Sequence, residues 1–393
     1  MKKENYLKYG LMDGLFYAWN ACFTGFITSY SLKCGLEASS LSTALAVYMF
    51  TCFGGAIFWG RVCDRKKTNR KVFLMNFALV IGLASFITFL TEINMLAAVG
   101  LYICLGFLFS SLGSNLDAWM LRSFQKDASL YGKARAIGSL GYSLCALVAG
   151  IVIRQYGYGM IQLMQLATGI CTLAMAFVLK ELPFEESDSK AESGDASLLL
   201  KSPLYVILIV LLFLGGLAAA PVNNMKTVFI QNTGGDVSML GLDSFIGVTL
   251  QAVLIFVSGK FTRIPVKVRL LIMSSMLLGD MVLVYSATTP VMIMAGSIFW
   301  NVSFSVMLPT QREIVEKYVD ASVRNIAHNI ADAAYNNFAA IIALSYSGIL
   351  INNYGVKMIA LTGAFIMVVA VIIEIILLVK PEKNTLILKE ETM

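Results

Sequence analysis

Twelve predominantly apolar runs, each about as long as a bilayer core is thick, follow one another through the 393 residues. They lie at roughly 9–32, 40–62, 71–91, 94–118, 134–154, 159–180, 203–226, 240–261, 268–288, 291–312, 325–351 and 356–379. In hydrocarbon every backbone N–H and C=O must find its partner within the protein, so a spanning chain is helical or a closed barrel. These runs are too long for barrel strands and lack strand alternation. The fold class that follows is an all-α membrane protein with twelve transmembrane helices. Composition agrees. Hydrophobic residues make up 58% and charged residues 14%, where a soluble domain has about 45–50% and about 25%.

Charge sets the expected orientation. An even number of spans puts both termini on one side. Of 30 Lys and Arg residues, all but Lys33, Arg154, Lys226 and Lys357 fall at the termini or in the even-numbered loops, that is 30 − 4 = 26. Positive residues stay inside, so both termini are expected in the cytoplasm and the chain in the cytoplasmic (inner or plasma) membrane. The net charge of +6 is then a set of topology anchors and implies no nucleic-acid partner. The short basic start lacks a cleavage site, so the first run reads as span one and not as a leader. The seven cysteines form no CxxC pair and mostly sit inside apolar runs. They read as small core residues, with no metal or disulfide.

The chain repeats itself. Gly150-Ile-Val-Ile-Arg-Gln-Tyr-Gly157 closes span five, and Gly348-Ile-Leu-Ile-Asn-Asn-Tyr-Gly355 closes span eleven, 198 residues later. The basic segments beginning at Gly60 and Gly259 follow spans two and eight, 199 residues apart. Two matches at nearly one offset argue for a duplicated six-helix unit. The expected division is an N-terminal bundle 1–180, an acidic, serine-rich cytoplasmic linker 181–201 and a C-terminal bundle 202–393. Parallel repeats of this kind place a solute site at mid-membrane between the halves.

Gly60-x-x-x-Asp64-Arg65 followed by Arg70-Lys71 resembles the loop signature of the major facilitator superfamily, without its usual glycine and with one extra residue. The resemblance implies that fold, two pseudo-symmetric six-helix bundles, and a gating loop at Gly60, Asp64 and Arg65. There Gly60 would allow close helix approach and Asp64 would receive a helix N-terminus or a basic residue. The segment Tyr131-Gly-Lys-Ala-Arg135-Ala-Ile-Gly138-Ser-Leu-Gly141-Tyr142 is similar to span five of the lactose-permease-like oligosaccharide/proton symporters, whose relatives carry nucleosides and phenylpropionate. Asp117 stands 18 residues before Arg135. The resemblance implies that this carboxylate and arginine hold a sugar and that Tyr142 stacks on it. It also implies polar site positions at Gln251 and Asn301.

A charge at mid-membrane costs roughly 2.5–3.5 kcal/mol on insertion scales, so intramembrane polar residues are the candidates for solute and proton handling. Asp117 and Arg135 suit vicinal hydroxyls; an interfacial salt bridge is their structural alternative. Asn20 and Asn115 are hydroxyl binders or interhelical ties, while Asp13 reads as interfacial. Pro221, with Asn223 and Asn224 after it, frees backbone carbonyls for a bend in span seven. His328, Asp332 and Asn336 recur at i, i+4 and i+8, which puts them on one helix face. His328 is the only histidine. With Asp332 one turn away it is a natural proton site, and Asp280 is a second. Glu374 is read as reaching water at the cytoplasmic end.

The sequence departs from lactose permease where that carrier couples protons. Span eight has no acid between Ile246 and Gly259, and span ten lacks the His/Glu pair. Asp117, Asp280 or His328/Asp332 must then serve, or the carrier is a facilitator. The leading expectation is import of a small polar solute, a saccharide above all, by proton symport through alternating access. The alternative is a uniporter or exporter of a nucleoside, aromatic acid or drug-like compound. Span five lacks the Gly-Pro pair frequent in exporters. No HExxH and no Ser/His/Asp set suggests an enzyme, and no cofactor or metal is expected. The expected partners are the solute, protons and lipid, around a monomer.

Overall fold

The computed structural model describes residues 4–90, 94–125, 128–182, 196–257, 261 and 263–379. Nearly everything described is helix. In chain order the helices are α1 (Glu4–Phe23), α2 (Ile27–Lys33), α3 (Ala38–Lys66), α4 (Arg70–Phe89), α5 (Met95–Phe109), α6 (Leu112–Ser123), α7 (Ala128–Tyr156) and α8 (Gly159–Val178). They continue as α9 (Pro203–Asn224), α10 (Lys226–Asn232), α11 (Val237–Phe256), α12 (Val266–Ser286), α13 (Pro290–Tyr318), α14 (Arg324–Ala333), α15 (Ala339–Tyr354) and α16 (Lys357–Val379). Each expected apolar run is found as a helix or a broken helix. Among the described residues, eleven of these segments are long and apolar enough to cross a membrane. Span one is less apolar because α1 carries Lys8 and Asp13, and it is split into α1 and α2.

The breaks have local causes. Span one is interrupted at Thr24–Phe26 and span seven at Met225, between α9 and α10. Pro221 lies inside α9. It has no N–H for the Leu217 carbonyl one turn back, and the Tyr346 hydroxyl donates to that carbonyl at 3.4 Å. Span eleven is interrupted differently. A single π-turn, Ala334–Phe338, separates α14 from α15; such insertions are rare and concentrate at functional sites.

The duplication has a backbone signature. Among the described residues, the glycines with positive φ are Gly35, Gly157, Gly234 and Gly355, at 83–87°. They form two pairs, Gly35/Gly234 and Gly157/Gly355, separated by 199 and 198 residues, the offsets of the sequence repeat. Gly157 and Gly355 each donate from their N–H to the carbonyl four residues back, at 2.8 and 3.0 Å, closing α7 and α15. A side chain there would force the left-handed region that only glycine enters freely.

The chain forms two compact units, Met1–Ser189 with Met225–Thr249, and Lys190–Asn224 with Leu250–Met393. The division falls at the break in span seven, so α10 and most of α11 pack with the first unit. The core of that unit is an aromatic cluster. Phe16, Trp19, Phe73, Phe77 and Trp119 are all fully buried, and Trp19 Nε1 donates to Gln165 Oε1 at 3.2 Å.

Glu181 closes one end of the first unit. Its carboxylate accepts from the Thr68 hydroxyl at 2.6 Å and from the Asn69 and Arg70 N–H groups at 2.7 and 3.2 Å. It also pairs with Arg122 at 3.1 Å. The first N–H groups of a helix lack intrahelical partners, and here Glu181 supplies them for α4. This corrects the role expected of Asp64. Asp64 and Arg65 are exposed, and a Cβ at Gly60 would meet nothing within 4 Å, so Gly60 makes no close helix approach. Glu181 itself belongs to the packed unit and not to a loose tether; residues 183–195 of the expected linker lie outside the described residues.

Candidate solute-binding site

In the first unit, α1, α6 and α7 bring five polar side chains together. Arg135 Nη1 lies 3.5 Å from Asp13 Oδ2, and the Asp13 side chain is completely buried. The Arg135 guanidinium also lies over the Tyr17 ring, 4.0 Å from its centroid, a cation–π contact. Asp117 is within electrostatic reach of the same guanidinium, with Tyr131 beside it. Asp13 Oδ1 and Asp117 Oδ1 are buried without a hydrogen-bond partner. One cation therefore faces two carboxylates, each with an oxygen left to accept, flanked by two phenols. A solute hydroxyl can donate to such an oxygen and accept from the guanidinium.

Small residues make this geometry possible. A Cβ at Gly138 would overlap Asp13 Oδ2, and one at Gly141 would overlap the Gly14 carbonyl. The two helices therefore approach backbone to backbone, and Asp13 reaches Arg135 across the gap where side chains are missing. Asp13 is not interfacial, as its position near the start of span one suggested. A signal for it was present: Asp13 and Tyr17 are spaced i, i+4, as are Tyr131 and Arg135, so each pair shares a helix face.

The other residues expected in this unit are placed as follows. Asn115 is buried and its Oδ1 accepts from Cys63 Sγ at 3.2 Å, with Nδ2 unpartnered. Asn20 hydrogen-bonds through its side chain to the Thr24 hydroxyl, at the break in span one. Tyr142 is half-buried on α7, within electrostatic reach of Asp243.

The second unit holds a polar pocket and an aromatic face. The pocket, about 380 Å³, is lined by Leu308, Gln311, Arg312, Glu316, His328 and Asp332. Gln311 Nε2 donates to Asp332 Oδ1 at 2.8 Å. His328 Nε2 is 3.2 Å from Glu316 Oε1, and Arg324 pairs with the same carboxylate at 3.3 Å. The expected His328–Asp332 couple is thus divided. Each side chain turns to a partner on α13, because a helix face packed against a polar neighbour pairs across the interface. The π-turn carries Asn336, which is exposed, and interrupts the regular i+4 recurrence after Asp332.

Above the pocket on α13, Trp300 and Phe304 continue the stripe of Leu308 at i+4 spacing. Trp300 Nε1 donates to the Tyr335 hydroxyl at 3.3 Å, and the Phe304 ring lies 6.2 Å from that of Tyr335. Asp280 is buried against Gly296 and within reach of Tyr335. Asn301 is not presented to a solute: it is buried and its Nδ2 donates to the Ser297 carbonyl of its own helix at 2.7 Å. Gln251 is half-buried on α11, and its side chain makes no hydrogen bond among the described residues. Glu374 is fully buried and accepts from the Ser274 hydroxyl at 2.8 Å, so it does not reach water as expected.

Membrane-spanning helices, broken at points where backbone groups are re-paired and carrying charges inside, define an integral membrane carrier. The chain belongs to the MFS_1 like family, which matches residues 6–359; it is a major facilitator superfamily transporter and not an enzyme. It is 20% identical to the maltose permease of Geobacillus stearothermophilus over 371 residues, covering 94% of this chain and 93% of the permease. It is 26% identical to the sucrose permease of Escherichia coli over 187 residues, 46% of this chain and 43% of that one. Its fold matches the nucleoside transporter NupG with a TM-score of 0.79 at 15% identity, over 96% of this chain and 99% of NupG. It matches a D-xylose-proton symporter with a TM-score of 0.70 at 14% identity, over 97% and 98% of the two chains.

Proposed function

We propose that this transporter imports a saccharide by proton symport through alternating access, in a cytoplasmic membrane with both termini inside. The observation that carries the reading is the Asp13–Arg135–Asp117 cluster, a partly buried cation facing two carboxylates with free acceptor oxygens. Carboxylate and guanidinium together are the usual recognition elements for vicinal hydroxyls. The names of the maltose and sucrose permeases among its relatives support the same solute class, and that of the xylose-proton symporter supports the coupling. Asp13 is the proton carrier in this reading. The proton would bind the Asp13 carboxylate and release Arg135 from its partner, which frees the guanidinium for the solute and couples the two binding events. The test is uptake of maltose, sucrose and xylose into proteoliposomes with and without an inward proton gradient. Uptake of one of them, accelerated by the gradient and lost in Asp13→Asn, supports the reading. Uptake indifferent to the gradient makes the chain a facilitator.

One observation favours a second solute. The Trp300, Phe304 and Tyr335 rings present a half-buried aromatic face beside the polar pocket of the second unit. Such a face suits a planar ring better than a second sugar, which points to a nucleoside or an aromatic carboxylate. Uridine or phenylpropionate raising the unfolding midpoint where the sugars do not would select this reading.

A further inference from the structure

Spans one and five carry a pair of thiols that the solute site does not use. Cys22 Sγ and Cys145 Sγ are 3.0 Å apart. Cys22 sits in the last turn of α1, directly before the Thr24–Phe26 interruption, and is completely buried. Cys145 is only half-buried. It lies on the same face of α7 as Gly138 and Gly141, which hold the two backbones together. Among the described residues no other two cysteine sulfurs come within hydrogen-bond reach of each other. Cys34 and Cys63 donate to the Leu90 carbonyl and to Asn115, and Cys104 and Cys171 are exposed.

We propose that Cys22 and Cys145 form a peroxide-oxidisable dithiol that closes to a disulfide and fixes span one to span five at the break in span one. A disulfide requires the sulfurs to approach by about 1 Å from where they stand. The oxidant is hydrogen peroxide, small and uncharged enough to reach a site inside a bilayer. The sulfur of Cys145, the accessible partner, attacks one peroxide oxygen. The O–O bond breaks, a sulfenic acid forms and one water leaves. The sulfur of Cys22 then displaces the sulfenic oxygen, which leaves as a second water, and the S–S bond forms. Two thiols lose two electrons and two protons; peroxide gains both and becomes two waters. The product ties the end of α1 to α7 through a loop of 145 − 22 = 123 residues, a long closure that restrains the unfolded chain.

The test uses the full chain in detergent. Protein treated with hydrogen peroxide is alkylated and digested without reduction, and the peptides are weighed. The expected result is one linked pair containing Cys22 and Cys145, two hydrogens lighter than the separate peptides and absent after dithiothreitol. The unfolding midpoint rises on oxidation and returns on reduction. Cys145→Ser loses both the link and the rise; Cys145→Ala replaces it if the serine variant folds poorly, and the wild-type link is read without either. The proposal is overturned if both thiols remain alkylatable after peroxide, if Cys145 proceeds to sulfinic acid with Cys22 untouched, or if the link forms and the midpoint does not move.

Discussion

Arg135 of α7 is held at 3.5 Å by Asp13 of α1, a residue 122 positions away in the chain whose side chain has no exposed surface. Asp117 acts on the same cation without replacing that contact. The pair is unequal: Asp13 is completely buried, whereas Arg135 is about a third exposed, so losing Arg135 strands a buried carboxylate. Asp13→Asn keeps the shape and removes the charge. Its expected effect is loss of gradient-driven uptake by at least about a hundredfold, with exchange of solute across the membrane retained. Asp13→Ala also removes a completely buried side chain together with its ion pair, which predicts a lowered unfolding midpoint. Normal gradient-driven uptake in Asp13→Asn would remove Asp13 from the coupling.

Gly138 is predicted to tolerate no side chain. Its Cβ would occupy the space of Asp13 Oδ2 and press on the Tyr17 ring, so both side chains that hold Arg135 would have to shift. Overpacking of a tight contact costs about 1–3 kcal/mol. Gly138→Ala should therefore lower the unfolding midpoint and weaken uptake together, whereas Gly132→Ala, where nothing lies within 4 Å, should change neither. Differential scanning fluorimetry of the two variants makes the comparison. Equal midpoints would mean that α1 moves aside at little cost.

Much of this was legible in the sequence. Hydrocarbon demands internal pairing of the backbone, so the apolar runs fix the helices to within a few residues, and the repeat marks Gly157 and Gly355, which close α7 and α15, but not Gly35 and Gly234. Arg135 and Asp117 stand out because charge is costly in lipid. The partner choices were not legible. Asp13 lies only nine residues from the start of α1 (Glu4), where a carboxylate ordinarily reaches water; only the close approach at Gly138 and Gly141 buries it. His328 and Asp332 share a helix face, yet each pairs with α13, and sequence spacing carries no information about what a neighbouring helix offers. Glu181 looked like part of an acidic tether because its composition matches residues 183–195; its role depends on the four donors that the fold brings to it.

Those four donors give a prediction about Glu181. Three of them belong to Thr68, Asn69 and Arg70 at the start of α4, and the fourth is Arg122. Both side chains of the ion pair are mostly buried, at 15% and 11% exposure. Glu181→Ala should cost on the order of 3 kcal/mol and lower the amount of folded protein recovered from membranes. Glu181→Gln keeps an acceptor for the backbone N–H groups and should recover most of that yield. If alanine and wild type give equal yields and midpoints, the contact is not structural.

The first unit also offers a contact whose strength should follow pH in a known direction. Gly150 of α7 and Gly241 of α11 touch through their backbones, so that a Cβ at Gly241 would stand 3.0 Å from Gly150 Cα. Beside them Arg154 Nε pairs with Asp236 Oδ2 at 3.1 Å, and Ser238 donates to Asp236 from its backbone N–H at 2.8 Å and from its hydroxyl. Asp236 precedes α11, outside the spanning segment. The Ser238 hydroxyl, more than the Arg154 charge, holds its carboxyl below the ordinary 3.8. A carboxyl depressed in the folded state binds protons more readily when unfolded, so its contribution is complete above the ordinary value and disappears as pH falls through the lower folded value. The side chains are well exposed, and the effect is small. Wild type should therefore lose more stability than Asp236→Asn between pH 5 and pH 3, and the two curves should run parallel above pH 5. Ser238→Ala should shrink the difference, because it removes the largest contributor to the shift. Unfolding midpoints across that range decide the point: curves that stay parallel down to pH 3 would mean that Asp236 titrates alike in the folded and unfolded chain.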